Sequence, residues 1–183
     1  MKKLFVLIIL SIFGHSAFSQ IEIYGRYTAG GKVEPDINLY GERKLSKKVN
    51  LTYFALVESK WSEALVGFSY APKDWFSVGL SAGVEHNPAV YRTAGSIWMG
   101  KKKTSLLVLW EKGDGRDNYW YKTTLSQKLS DEVSLGARAW RYHGVGPVFS
   151  YAIKKVGVTP WIMPAYDFEY DQKRLIFGVD IKM

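Results

Sequence analysis

The side chains best suited to chemistry in this chain fall at alternate positions within short segments that are apolar at every second residue. Arg26, Glu42, Glu63, Lys122, Arg138 and Asp180 sit this way, and so do Trp120, Trp140 and Trp161. Successive side chains of a strand point to opposite faces, so one parity of each segment gathers these groups on a common face. Charges and indole rings collected there can close into ion pairs, attract a solute of opposite charge, or stack on a sugar ring. Covalent chemistry has less to draw on. Past residue 19 the histidines are His86 and His143, and no serine lies within two residues of either, although strand pairing can bring one alongside. Neither has flanking residues that would complete a metal site, and each is expected as a solvated loop residue. The run Gly113-Asp-Gly-Arg-Asp117 lacks the length and the bidentate glutamate of a calcium loop and reads as a hairpin tip. The expectation is no catalytic group, no metal and no cofactor.

The elements that must position these residues follow from the turn signals. Short polar connections are expected at 45–49, 71–75, 101–104, 128–132 and 154–157. Further breaks fall at 30–36, around Lys60, and at 85–92, 112–117, 142–146 and 167–173. Eleven breaks make twelve strands of about 9–11 residues, the length of a tilted membrane-crossing strand. The break at Lys60 carries the weakest signal, so ten strands is the alternative. Phe76, Val78, Leu80, Ala82 and Val84 alternate with Ser77, Gly79, Ser81, Gly83 and Glu85. Val133, Leu135, Ala137 and Ala139 alternate with Ser134, Gly136, Arg138 and Trp140. Twelve such strands carry more apolar surface than a soluble core of this size can bury. In a transmembrane barrel that face turns to lipid and the polar face lines the lumen. Tyr70, Phe76, Tyr119, Tyr121 and Tyr166, near strand ends, fit the aromatic girdles of the two interfaces. The fold class expected is all-β: one antiparallel up-and-down transmembrane barrel over residues 20–183, with the lipid bilayer as its surroundings.

Residues 1–19 are set apart as a signal peptide. Lys2 and Lys3 precede an apolar run over 4–13, and Ala17-Phe18-Ser19 supplies small residues for cleavage before Gln20. As a helix that run spans about 15 Å, half a bilayer core, so it reads as a leader rather than an anchor. The chain has no cysteine, which excludes a lipid-anchored mature N-terminus and any disulfide. There are 25 basic residues against 17 acidic; setting aside Lys2 and Lys3 leaves a net of about +6. That charge is spread through turns such as 46–48, 101–103 and 154–155 rather than gathered in a stripe. On an exported chain it does not point to nucleic acid.

The last segment, Arg174 to Met183, alternates to its final residue and places Gly178 before hydrophobic residues at the third and fifth positions after it, Ile181 and Met183. This resembles the assembly signal of bacterial outer-membrane β-barrels, with aliphatic residues where aromatics are usual. The resemblance implies the outer membrane of a Gram-negative cell and a partner in the outer-membrane assembly machinery. The twelve-stranded architecture is similar to that of the small oligosaccharide-specific porins, with no motif of theirs matched residue by residue.

With the short turns on the periplasmic side, Arg26, Lys122 and Arg138 are expected near mid-membrane, Glu42 lower, Glu63 toward the outer rim and Asp180 near the periplasm. A register pairing Leu125 with Leu135 would set Lys122 opposite Arg138 and Trp120 opposite Trp140. A shorter turn would offset the two cations by one pair. Like charges directly opposed need an offsetting partner, either Glu42, another acidic lumen residue or an anionic solute. The function these features imply is a passive channel for small solutes, anionic or sugar-like, with a mildly anion-favouring lumen. The alternatives are a plugged structural or adhesive barrel, or a lipid-acting membrane enzyme.

Overall fold

The computed structural model describes residues 17–28, 30–86 and 90–183. Among the described residues twelve strands follow one another: β1 (Ala17–Thr28), β2 (Val33–Lys44), β3 (Val49–Glu58), β4 (Ser62–Lys73), β5 (Phe76–His86), β6 (Val90–Lys101), β7 (Thr104–Gly113), β8 (Tyr119–Lys128), β9 (Val133–Trp140), β10 (Gly144–Tyr151), β11 (Val158–Asp167) and β12 (Gln172–Lys182). Each pairs antiparallel with the next, and β1 pairs with β12 to close the barrel, which leaves no sheet edge unpaired. Twelve strands, not ten, are present. The connection at Lys60 is real, because Glu58 N donates to Trp61 O at 2.9 Å and β4 starts at Ser62. An even strand number puts β1's start and β12's end at one rim, called here the terminal rim. The opposite end is the far rim. Most of the expected signal peptide lies outside the described residues, while β1 begins at Ala17, three residues before the expected cleavage point.

Strand parity sorts the side chains as the alternation requires. Leu80 is 72 % exposed and Val84 63 %, both on the outer surface. On the other face of β5, Gly79, Ser81 and Gly83 point inward, and Glu85 with them is buried. Tyr70, Tyr119 and Tyr121 are exposed near strand ends, where interfacial aromatics belong. For a soluble barrel this exterior would be an aggregation surface; in a bilayer it is the solvated face. Leu80→Arg should therefore destabilise the barrel by about 2–4 kcal/mol for a mid-bilayer site. Its inward neighbour changed as Ser81→Thr should cost far less. Urea titration of folding into lipid vesicles compares the two, and equal effects would contradict a lipid-facing exterior.

The interior is not uniformly open. Tyr24, Trp140, Val148, Trp161, Met163 and Ile176, from β1 and β9–β12, form a buried cluster inside the barrel, with Trp120 and Ala165 packed against it. Gly178 lets this packing occur, since a β-carbon there would collide with Tyr24 and the Trp161 ring. Across the lumen, toward the terminal rim, the inward positions of β4–β6 include the small residues Gly67, Ser69, Gly79, Ser81 and Ser96, while Leu56, Leu65 and Arg92 fill the same wall nearer the far rim. One wall is filled and the facing wall is thin toward the terminal rim.

Candidate functional site

The lumen carries its charge in layers. Midway, Lys122 on β8 reaches across the barrel to Glu22 on β1, with Nζ 3.3 Å from Oε2 and both side chains largely buried. Asn38 Nδ2 donates to the same Glu22 oxygen at 2.8 Å. Asp180 lies directly opposite Glu22 in the β1–β12 register, and these two carboxylates face Lys122 and Arg138 electrostatically. Among the described residues, two carboxylates thus stand against Lys122 and Arg138 at this level.

The register between β8 and β9 differs from the expected one by two residues. Lys122 pairs with Trp140, Thr124 with Arg138, and Leu125 with Ala137. The turn decides this. Leu129 N donates to Val133 O at 2.9 Å, and Ser130 Oγ accepts from Glu132 N at 3.2 Å and Val133 N at 3.0 Å, which centres the reversal on Asp131. The result removes the like-charge pair. The Lys122 ammonium sits 4.2 Å from the Trp140 ring centre, and Arg138 Nε donates to Thr124 Oγ1 at 3.1 Å.

Trp140 and Trp161 point inward as expected, but at 2 % and 5 % exposure they fill space and offer no face to a solute. Trp120 meets Trp140 edge-on at 6.3 Å and is the one of the three that lines a cavity. Glu42 lies toward the terminal rim and accepts from Asn50 Nδ2 at 3.2 Å, well away from Lys122's pair.

Arg26 stands near the far rim, not at mid-depth. It pairs in register with Glu34, two residues from the end of β1. Its guanidinium meets Glu34 at 3.1 Å, Glu58 at 3.5 Å and Asp36 at 4.0 Å, and Nη1 donates to Tyr142 O at 3.3 Å. Glu63 is at the far rim as expected, within a cluster that sequence reading missed. Arg92 on β6 is buried among Glu63 at 2.7 Å, Glu85 at 2.6 Å and Glu111 at 2.8 Å. Asn118 Oδ1 accepts from Arg92 at 3.0 Å, Asn118 also donates to Glu85, and the guanidinium lies 4.6 Å from the Trp61 ring centre. Arg174–Asp167 at 2.8 Å and Arg141–Glu169 at 3.6 Å continue the layer around the rim.

The β9–β10 connection folds into the barrel, and His143 is not a solvated loop residue. It is 5 % exposed, stacked on Trp140 with ring centres 3.7 Å apart and planes 5° from parallel. The turn is tight: Tyr142 has φ 65°, and Gly144 at φ 101° sits against the backbone of Tyr166, where a β-carbon would not fit. Arg141 holds it from above, its guanidinium 3.5 Å from the Tyr119 ring centre and donating to Asp117 O at 2.9 Å. The other histidine, His86, is exposed on the outer surface with Ser62 directly opposite it in the β4–β5 register. Among the described residues no hydrogen bond joins the two.

Between the Arg26 and Arg92 clusters a cavity of about 490 Å³ opens at the far rim. Its wall includes Glu34, Glu58, Trp61, Trp120, Tyr142 and His143, and its floor is Tyr24 above the buried cluster. The closed barrel has counterparts among solved structures. A KdgM porin in complex with disordered oligogalacturonate superposes with a TM-score of 0.66, covering 90% of this chain and 99% of that one at 13% identity. The fold is that of the twelve-stranded porins. A NanC porin gives 0.60, with 89% and 100% covered at 12% identity. Outer membrane phospholipase A from Escherichia coli gives 0.58, with 89% and 95% covered at 14% identity. No family profile matches the sequence. No curated protein matches it either.

The mid-lumen pair makes a direct prediction. Glu22→Gln leaves Lys122 and Arg138 in excess, so the reversal potential in a salt gradient should move toward anion selectivity. Lys122→Gln should move it toward cations. Potentials unchanged in both variants would contradict a conduction path past this pair.

Proposed function

We propose that residues 20–183 form a passive diffusion channel for small polar solutes in the outer membrane of a Gram-negative bacterium, delivered there after removal of residues 1–19. Gly178, Ile181 and Met183 would act as the signal read by the outer-membrane assembly machinery. The observation that carries the channel reading is the lopsided lumen. A vestibule opens at the far rim, and below it Thr52, Ser69, Ser81 and Ser96 on β3–β6 are small and partly exposed, while the bulky cluster occupies the other side. The shared fold with porins, one of them holding an oligogalacturonate, supports a sugar-like solute. The far rim is then the cell exterior, and the short turns at the terminal rim face the periplasm. Charged layers and aromatic walls set preference without any cofactor.

Lipid vesicles bearing the folded protein should swell in an isotonic solution of a small sugar faster than empty vesicles. The rate should fall as the sugar grows from mono- to tetrasaccharide. Swelling indistinguishable from that of empty vesicles would favour the plugged, structural barrel.

A further inference from the structure

The far-rim vestibule exposes its carboxylates more than its cations. Around Arg26 one guanidinium faces three carboxylates; its side chain is 13 % exposed, while Glu34 is 51 % and Glu58 24 % exposed. Arg92 and Arg174, the other cations on the wall, are almost wholly buried and committed to carboxylates. His143 adds a second, independent acceptor. Its Nδ1 lies 3.0 Å from Arg141 O, which can only accept, so Nδ1 carries the proton and Nε2 holds a lone pair. His143 lines the cavity, and its Nε2 is buried with no partner among the described residues. A buried acceptor left without a donor costs about 1–3 kcal/mol, which a ligand can recover. Trp61, Trp120 and Tyr142 supply ring faces around the same space. Its volume lies within the ~300–1,000 Å³ range of small-molecule sites.

We propose that this vestibule binds a protonated amino sugar, its ammonium held by Glu34 and Glu58 and a hydroxyl donating to His143 Nε2. The carboxylates select the positive charge. His143 selects a hydroxyl donor, and the aromatic faces take the apolar side of a pyranose ring, where the cation adds attraction to the ring quadrupole. A uronate would set its own carboxylate against Glu34 and Glu58. The inference rests on the reading of the vestibule as a solute entrance, and binding can be measured without conduction.

The test is titration of the folded barrel in detergent, followed by tryptophan fluorescence and calorimetry, with three trisaccharides: fully deacetylated glucosamine, its N-acetylated form, and galacturonate. The expected result is saturable binding of the deacetylated trimer, at least tenfold tighter than the other two and weakened by salt. The Glu34→Gln/Glu58→Gln variant, its folding verified by heat-modifiable gel mobility, should lose at least tenfold. If the double variant does not fold, Glu34→Gln alone, at the more exposed position, should lose severalfold. Equal or tighter binding of galacturonate, no saturable binding of any trimer, or unchanged affinity in the variants overturns the proposal. Binding without solute passage would sink the channel reading and leave this site standing; passage without binding would do the reverse.

Discussion

Arg92→Ala should destabilise the barrel by about 3–5 kcal/mol, the cost of stranding buried charge without its partner. The side chain is 1 % exposed and lies between Glu63, Glu85 and Glu111, each within 2.8 Å. Removing it leaves three carboxyl groups packed together near Trp61, with Asn118 donating to Glu85. Their mutual repulsion in a site shielded from water is the dominant loss, larger than the lost contacts of the arginine stem. The loss should therefore be recoverable from the acidic side. Arg92→Met combined with Glu63→Gln, Glu85→Gln and Glu111→Gln should regain most of the stability, because replacing a whole buried ionic group is often neutral. Urea-induced unfolding in lipid vesicles compares the variants. If the quadruple variant is no more stable than Arg92→Ala, the cluster holds the barrel by shape rather than by charge.

Trp140→Ala should raise the size of the single-channel conductance step and cost stability as well. The indole is the centre of the lumen cluster: the Tyr24 ring lies 5.0 Å away, His143 is stacked on it at 3.7 Å, and the Lys122 ammonium lies 4.2 Å from its ring centre. Truncation opens a cavity between the vestibule floor and the lower lumen and frees the inward-folded turn at His143. A buried Trp→Ala change typically costs about 3–5 kcal/mol. The barrel's closed hydrogen-bond ladder is expected to hold the fold together while the constriction widens. Trp75→Ala, exposed at the terminal rim, is the matched control and should leave the step unchanged. A step unaltered by Trp140→Ala would place the conduction path elsewhere than beside this ring.

Much of the architecture was legible because a membrane barrel writes its lumen and its lipid face into strand parity. Leu80 and Val84 outward, Lys122, Arg138 and Trp140 inward, and the break at Lys60 all follow from alternation and turn residues. What parity could not supply is vertical placement and cross-lumen partnership. Glu22 shares the parity of Arg26, yet nothing local links it to Lys122, which lies a hundred positions away on the opposite wall. Arg92 fell at the end of a segment read as a loop, and Glu85, the last residue of the inward series on β5, also stood at that segment's start. β5 runs to His86 and β6 begins at Val90, so both residues belong to strands, and what parity left out was Arg92 as the partner of Glu85. The β8–β9 register turned on a Ser130 side chain capping its own turn, which moved Arg138 off Lys122. His143 is the largest departure. A three-residue connection can bend inward or outward with the same sequence signal. Here stacking on Trp140 and the hold of Arg26 on Tyr142 O fix it inside.

These corrections change the expected electrostatics of the lumen. A basic belt of Arg26, Lys122 and Arg138 would have favoured anions. Instead Arg26 is enclosed by carboxylates at the far rim, and the other two are balanced by Glu22 and Asp180. In the proposed channel, preference would follow the member of each pair that meets solvent, and at the vestibule Glu34 and Glu58 are more exposed than Arg26.

Single-channel recording of the unmodified, folded protein in planar bilayers tests the account most directly. Discrete, reproducible conductance steps are predicted, small because the aromatic cluster fills one wall of the lumen. Membranes that incorporate folded protein, shown by its heat-modifiable gel mobility, yet give no steps above background would contradict the channel.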